Sequence, residues 1–275
     1  MTLGTFEKNI EMKKILVPLG ISEKTEVLLN YAIDLSKNFK SNIYLIDAHP
    51  TLSNLTSINN VKTRFAIENK QRIKRMVDNL NSNVSKINII ESQGDLIDTI
   101  KKLNKSIVID LIITAPLSNE INDEVFLGPV AGSLIKRTNI PVLVAPYQKK
   151  FIPPKKMLLA FKSGEVKSVD TLKPLIQFQE EFKTLLKLLL VKVPGFANRN
   201  HKLDDCLMKR SEGLIYSENA TVYQGVLEHF QANNPDILVV FKRERGFFIK
   251  LWEPDRIYKR DFYCTIPLLI LKNKD

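Results

Sequence analysis

The sequence predicts an α/β protein made of two copies of one unit, each a five-stranded parallel sheet with helices on both faces. Three segments of the first half recur in the second: Lys13–Pro18 as Lys155–Ala160, Asp110–Thr114 as Asp236–Val240, and Ile140–Val144 as Ile266–Ile270. The first recurs at an offset of 142 residues and the other two at 126, so the second copy is 16 residues shorter between its first and fourth strands. Fixed offsets between separated segments indicate an internal repeat.

Ten short apolar runs predict the strands, because nearly continuous apolar runs are typical of parallel strands buried on both faces. In the first half they are Ile15–Pro18, Ile43–Asp47, Ile87–Ile90, Leu111–Thr114 and Val142–Ala145. In the second half they are Leu158–Phe161, Leu186–Val193, a weaker run at Leu214–Tyr216, Ile237–Phe241 and Leu268–Leu271.

Apolar residues at helical spacing predict helices between the strands of the first half. The first stripe follows Ser22, a residue type that caps helices, and contains Leu28, Tyr31, Leu35 and Phe39. A second contains Ile73, Met76, Val77 and Leu80, and a third, after the capping residue Asp95, contains Leu96, Ile97, Ile100 and Leu103.

The repeat divides the 275 residues into two domains, which is also the number that this length favours. Residues 1–11 form a polar leader, residues 12–150 the first domain, residues 151–154 a linker and residues 155–275 the second domain. The linker ends in Pro153 and Pro154, and proline commonly marks a boundary between elements.

Composition excludes several classes of protein. No apolar run approaches the roughly 18 residues of a membrane span, and no signal-peptide core is present, so we expect a cytoplasmic protein with no membrane partner. We expect the two cysteines to be reduced thiols, because a single pair does not make a disulfide framework. The net charge of +11 is spread evenly over both halves, which favours an acidic partner or anionic ligand over a nucleic acid. No catalytic or metal-binding motif is found.

Several stretches, in their order, resemble the universal stress protein family. Lys14–Glu23 resembles its opening strand and turn, and Gln93-Gly94-Asp95 resembles a helix start of the family. Asp110–Ala115 resembles its fourth strand, and Leu127–Val144 its final helix and strand. The resemblance implies a tandem pair of Rossmann-like, adenine nucleotide α-hydrolase-like domains.

The resemblance also implies a nucleotide site, but most of its residues are replaced. Nucleotide-binding members carry an aspartate after the first strand and a loop of three glycines and a hydroxyl residue after the fourth. Gly20 stands at the aspartate position, Ala115 and Ser118 stand at the first two glycine positions, Gly128 keeps the third, and Pro129 replaces the hydroxyl residue. Proline also lacks a backbone donor. Asp47, at the carboxyl end of the second strand, is a further candidate for ligand contact or for capping.

The second half keeps even fewer of the family's nucleotide-binding residues. The repeat offsets place Lys162 at the aspartate position and Phe241, Glu244, Pro254 and Asp255 at the loop positions. The first half is therefore the better candidate for any remaining ligand site.

We expect a stress-response protein that acts through protein or ligand interaction, without catalysis, without tight ATP binding and without a cofactor. One alternative is a regulator that binds ATP or AMP in the first domain, and another is an enzyme of the adenine nucleotide α-hydrolase-like group. The partner is an unidentified protein. The family's usual pairing of last strands predicts that Val142–Ala145 and Leu268–Leu271 pair, giving an internal pseudo-dimer. The sequence does not determine whether the whole chain also forms a homodimer.

Overall fold

A computed structural model describes residues 11–20, 25–48, 59–79, 86–91, 94–117, 124–146, 149–166, 168–195, 203–242, 257–259 and 262–272. The strands of the first half are β1 Lys14–Leu19, β2 Asn42–Asp47, β3 Ile87–Ile90, β4 Leu111–Thr114, β5 Val125–Leu127 and β6 Val142–Val144. Those of the second half are β7 Lys156–Phe161, β8 Leu185–Lys192, β9 Gly213–Glu218, β10 Ile237–Lys242, β11 Ile257–Tyr258 and β12 Leu268–Lys272.

Ten of these strands form one sheet in the order β3-β2-β1-β4-β6-β12-β10-β7-β8-β9. Every neighbouring pair is parallel except β6 and β12, which are antiparallel. The ten predicted strands are all present. No apolar run predicts β5 and β11, which form a separate two-stranded antiparallel sheet.

Helices cover both faces of the sheet, as predicted. They are α1 Thr25–Phe39, α2 Asn59–Asp78, α3 Leu96–Ile107, α4 Pro129–Arg137, α5 Lys173–Phe182, α6 Asp205–Arg210 and α7 Val222–Asn233. Residues of α1, α2, α5 and α6 belong to one apolar cluster, and residues of α3, α4 and α7 belong to another. The sheet therefore separates two cores, each shared by both halves. No helix in the described part of the chain is long and apolar enough to cross a membrane.

The predicted cap of α3 is confirmed, because the Asp95 side chain accepts a hydrogen bond from the Asp98 N–H at 3.0 Å. Tyr31 and Leu35 of the first predicted stripe are buried on α1, and Ile73 is buried on α2. Ser22, proposed as a cap, and Leu80 lie outside the described residues.

The repeat extends to backbone contacts at the amino ends of the strands. Asp110 accepts hydrogen bonds from the N–H groups of Lys13 and Lys14, both at 2.9 Å. Asp236, at the same place in the second half, accepts from Lys155 and Lys156 at 2.7 and 2.9 Å. In both halves this aspartate thus ties the start of the fourth strand to the start of the first, although its carboxylate could have been mistaken for a site residue.

The last strands of the two halves join the sheet. Leu143 of β6 pairs with Leu269 of β12, and these two residues are repeat equivalents at the offset of 126. Val142 pairs with Ile270, and Val144 with Leu268, so each contact has a symmetrical counterpart. This is the isologous pattern of a twofold interface, here within one chain. The expected pairing of the two edges is present.

Two segments break the symmetry. The 20-residue α2 corresponds to the six-residue α6, which accounts for the shorter second copy. Helix α4 lies between β5 and β6, but the described residues between β11 and β12 contain no helix. Instead Phe262 and Cys264 are buried there, and Phe262 packs in the same cluster as α4.

Candidate ligand-binding site

A cavity of about 200 Å³ opens at the carboxyl ends of β1 and β4 in the first half. This is the edge of a parallel sheet at which ligands bind in doubly wound folds. The described lining residues are small, apolar or hydroxyl-bearing: Pro18, Gly20, Thr25, Leu28, Ala48, Thr114, Ala115, Pro116, Leu117, Gly128, Pro129, Val130 and Ala131.

Gly20 lies directly after β1 and forms one wall of the cavity. Its carbonyl accepts hydrogen bonds from the Thr25 hydroxyl, at 2.9 Å, and from the Arg72 guanidinium. A Cβ atom placed on Gly20 would meet nothing within 4 Å, so the site has room for a side chain that the sequence does not supply.

Helix α4 begins at the opposite wall. Gly128 is its N-cap residue, with φ of −77° and no side-chain cap, and Pro129 is the first residue of the helix. The first intrahelical bond described runs from Gly132 N–H to Gly128 O at 2.9 Å. The N–H groups of Val130 and Ala131 therefore have no acceptor within the helix, whereas Pro129 has no N–H to offer.

Gly128 is also tightly packed. A Cβ atom there would lie 3.0 Å from Leu117 Cδ1 and 3.2 Å from Leu117 Cβ. Leu117 is held by its N–H, which donates to Phe126 O of β5 at 2.9 Å. A side chain at this position would need Leu117 to move by a few tenths of an ångström, whereas the φ angle is open to any residue.

Two hydroxyl residues of the site were missed from sequence. Thr114, the last residue of β4, lines the cavity although it is only 4% exposed. Thr25 lines it from the first turn of α1. The available signal was the threonine that ends the apolar run Leu111–Ile113, since a hydroxyl at the carboxyl edge of a strand faces the usual ligand position.

The structure brings together four of the six predicted site residues, Gly20, Ala115, Gly128 and Pro129. Asp47 is the last residue of β2, and the described lining contains its neighbour Ala48 instead. Ser118 lies outside the described residues. The geometry thus assembles the predicted positions but gives them few polar groups.

Residues 11–146 match the family model described as the universal stress protein family. Through this segment the chain belongs to the universal stress protein family. No curated protein matches the chain.

Solved structures share the fold over nearly the whole chain. A universal stress protein from Archaeoglobus fulgidus DSM 4304 superimposes with a TM-score of 0.71 at 13% identity, covering 97% of this chain and 99% of that one. A protein of unknown function from Pseudomonas aeruginosa PAO1 superimposes with a TM-score of 0.58 at 13% identity, covering 96% of this chain and 94% of that one. The cytoplasmic domain of a prokaryotic cation chloride cotransporter superimposes with a TM-score of 0.50 at 9% identity, covering 95% of each chain.

The second half carries larger side chains among the described residues at the corresponding edge of the sheet. Phe161 and Phe241, the repeat equivalents of Leu19 and Ala115, lie with ring centroids 6.4 Å apart. Gly164 forms a parallel bridge with Leu203, and a Cβ atom on Gly164 would lie 2.3 Å from Leu203 Cδ1.

Phe161 Cε2 lies 3.1 Å from the same Cβ position on Gly164, so Phe161, Phe241 and Leu203 meet at the carboxyl ends of β7 and β10. Lys162, at the aspartate position, directly follows β7. Glu244, Pro254 and Asp255 lie outside the described residues.

Proposed function

We propose that this universal stress protein acts in the stress response through interaction with a protein or small ligand, without catalysis and without tight ATP binding. The observation that carries the proposal is the cavity of the first half, whose described lining consists of uncharged residues. A polyphosphate buried there would meet backbone donors but would find few compensating charges, and unpaired buried charge is costly.

The replaced positions weaken nucleotide binding by amounts that can be estimated. Each hydrogen bond lost to a charged group costs about 1.5–3 kcal/mol. Gly20 has no side-chain carboxylate to accept from an adenine amino group, and Pro129 offers neither hydroxyl nor N–H. Two lost bonds amount to roughly 3–6 kcal/mol, or about two to four decades of affinity at ~1.4 kcal/mol per decade. A micromolar site would become millimolar or weaker.

The size of the cavity supports the same conclusion. Its volume of about 200 Å³ is below the roughly 300–1,000 Å³ of typical pockets for drug-sized ligands. Phosphoryl transfer also requires charge neutralisation and a positioned nucleophile, and the described lining supplies neither. The proposal therefore favours a ligand smaller and less charged than ATP, or a protein partner.

A regulator that binds ATP or AMP in the first half is the second candidate. Two observations favour it: the open space at Gly20, and the N–H groups of Val130 and Ala131 at the start of α4. A helix N-terminus favours an anion because its N–H groups and dipole point toward it. In this case the altered loop would hold the phosphates through backbone groups alone.

We further propose that the protein works in the cytoplasm and that its partner is neither nucleic acid nor membrane. The pairing of β6 with β12 supports an internal pseudo-dimer, in which one chain supplies both members of the pair.

Native mass spectrometry of protein purified without added nucleotide tests the proposal. We expect the bare chain, or the chain with a small non-nucleotide ligand or a protein. A stoichiometric adenine nucleotide would favour the second candidate. ATP turnover that survives repurification and scales with protein concentration would contradict the absence of catalysis.

A further inference from the structure

Helix α4 borders the cavity of the first half, yet the second half holds both of its ends. At its C-terminal end, Lys272 of β12 is only 3% exposed and its ammonium group points at the last turn of the helix. It donates to Leu134 O at 3.4 Å, to Thr138 O at 3.2 Å, and to Ile135 O. Lys242, the register partner of Lys272 on β10, donates to Lys136 O.

These two lysines add donors at the C-terminal end of α4, where Leu134 O also accepts hydrogen bonds from the N–H and hydroxyl groups of Thr138. The last four carbonyl groups of a helix have no intrahelical donor, and a cation near them is stabilised by the helix dipole. Burial and the neighbouring Lys242 lower the pKa of Lys272. A buried ammonium group is costly to desolvate unless it is hydrogen-bonded, and here three carbonyl groups at the end of α4 accept from it.

At the amino end, the second half holds the strand that leads into α4. Tyr258 of β11 pairs with Val125 of β5, and the Lys259 N–H donates to Glu124 O at 2.7 Å. The ring of Tyr263 packs edge-on against Phe126, with centroids 5.4 Å apart. Gly128, the N-cap of α4, follows two residues after Phe126.

The contacts that the second half makes with α4 have no equivalent made by the first half. At the offset of 126, Lys242 and Lys272 correspond to Pro116 and Pro146, which carry no side-chain donor. The described residues between β11 and β12 contain no helix for such donors to cap. The lysines are therefore present in the half that faces α4 and replaced in the half that has no such helix opposite it.

We propose that the second half serves as a positioning element for the first, with Lys272 as the principal residue that fixes α4 and thereby the wall of the cavity. This proposal does not depend on which ligand the cavity binds. It assigns a role to a half whose own strand ends are filled by Phe161, Phe241 and Leu203.

The test compares Lys272→Met with Lys192→Met by amide hydrogen exchange and by methyl NMR. Methionine keeps most of the length of lysine and removes the donors. Lys192 of β8 is a control in the same half, since it forms a salt bridge of 3.0 Å with the exposed Glu218 of β9, at the edge of the sheet far from α4. We expect Lys272→Met to raise exchange throughout α4 by at least about tenfold and to shift the Ala131 methyl signal, with no change in Lys192→Met.

Ala131 makes this test specific. It lies seven residues before Thr138, about 10 Å along the helix axis at 1.5 Å per residue. A lysine that only capped the last turn would change exchange at Lys136–Thr138 and leave Ala131 unchanged, and that result would overturn the proposal. If Lys272→Met does not fold, Lys242→Met supplies the same readout with a smaller expected shift. An unchanged α4 in the folded variant would also overturn it. Lys272→Arg should restore most of the protection.

Discussion

The carboxyl ends of β1 and β4 can be compared directly with those of β7 and β10, because the strands are repeats of one another. In the first half Ala115 lines a cavity, whereas in the second half its equivalent, Phe241, packs against the ring of Phe161. At the opposite, amino edge the halves are alike, since Asp110 and Asp236 make the same pair of backbone contacts.

The difference separates what the fold needs from what a ligand needs. The amino-edge aspartates tie two strands together, and either half would lose backbone partners without them. The carboxyl edge carries no such requirement, so it can be open in one half and filled with aromatic rings in the other. We propose that the second half contributes through its contacts with α4.

The centre of the sheet provides the largest expected effect. Leu143 and Leu269 are fully buried, repeat-equivalent and paired with each other. Truncation of a buried leucine to alanine costs about 2–5 kcal/mol. We expect Leu143→Ala and Leu269→Ala to lower the free energy of unfolding by similar amounts in urea titrations. Because the two residues touch, the double variant should depart from additivity by about 0.5–3 kcal/mol.

The contradicting result is a large loss of unfolding free energy from one substitution and a loss of less than about 1 kcal/mol from the other, because small losses are typical of surface positions. Such a result would mean that the two last strands are not equivalent in the folded protein.

A restored aspartate sharpens the comparison at the carboxyl edge. Gly20→Asp places a carboxylate where a Cβ atom has free space. A hydrogen bond to a charged group contributes about 1.5–3 kcal/mol, so ATP affinity should rise by roughly 10-fold to 100-fold. Isothermal titration calorimetry should show the gain for Gly20→Asp and none for the matched Lys162→Asp in the second half. A gain only from Lys162→Asp would mean that the wrong half has been assigned the site.

Much of the fold follows from the sequence, because buried parallel strands leave continuous apolar runs such as Leu111–Thr114 and Val142–Val144. The pairing of β6 with β12 follows from the family resemblance, which predicts that the last strands of the two halves pair. Strand β11 could not be predicted, since two residues that pair across the halves have no local pattern. The contacts of Lys272 could not be predicted either, because the sequence pattern around a lysine does not indicate which distant carbonyl groups it contacts.

The site was predicted less completely than the fold. Spacing from a family motif located Gly20, Ala115, Gly128 and Pro129, which line one cavity. It did not locate Thr25 or Thr114, since the motif assigns them no function. The filling of the second half by Phe161 and Leu203 depends on contacts between distant segments, which spacing alone does not show.

A pair of glycine substitutions gives the smallest expected effect. Gly164→Ala places a methyl group 2.3 Å from Leu203 Cδ1 and 3.2 Å from Leu203 Cα, so it should destabilise the protein by about 1–3 kcal/mol. Gly20→Ala meets no atom and should be neutral or slightly stabilising, by up to ~1 kcal/mol. Urea midpoints measure both. Equal destabilisation by the two substitutions would contradict an open first half and a filled second half.

We propose that the open cavity of the first half does not hold ATP tightly. Calorimetric titration of the unmodified chain with ATP, with and without magnesium, tests it most directly. We expect no saturable heat below millimolar ATP, because roughly 3–6 kcal/mol of contacts are missing. Stoichiometric binding with a dissociation constant in the low micromolar range would contradict the claim.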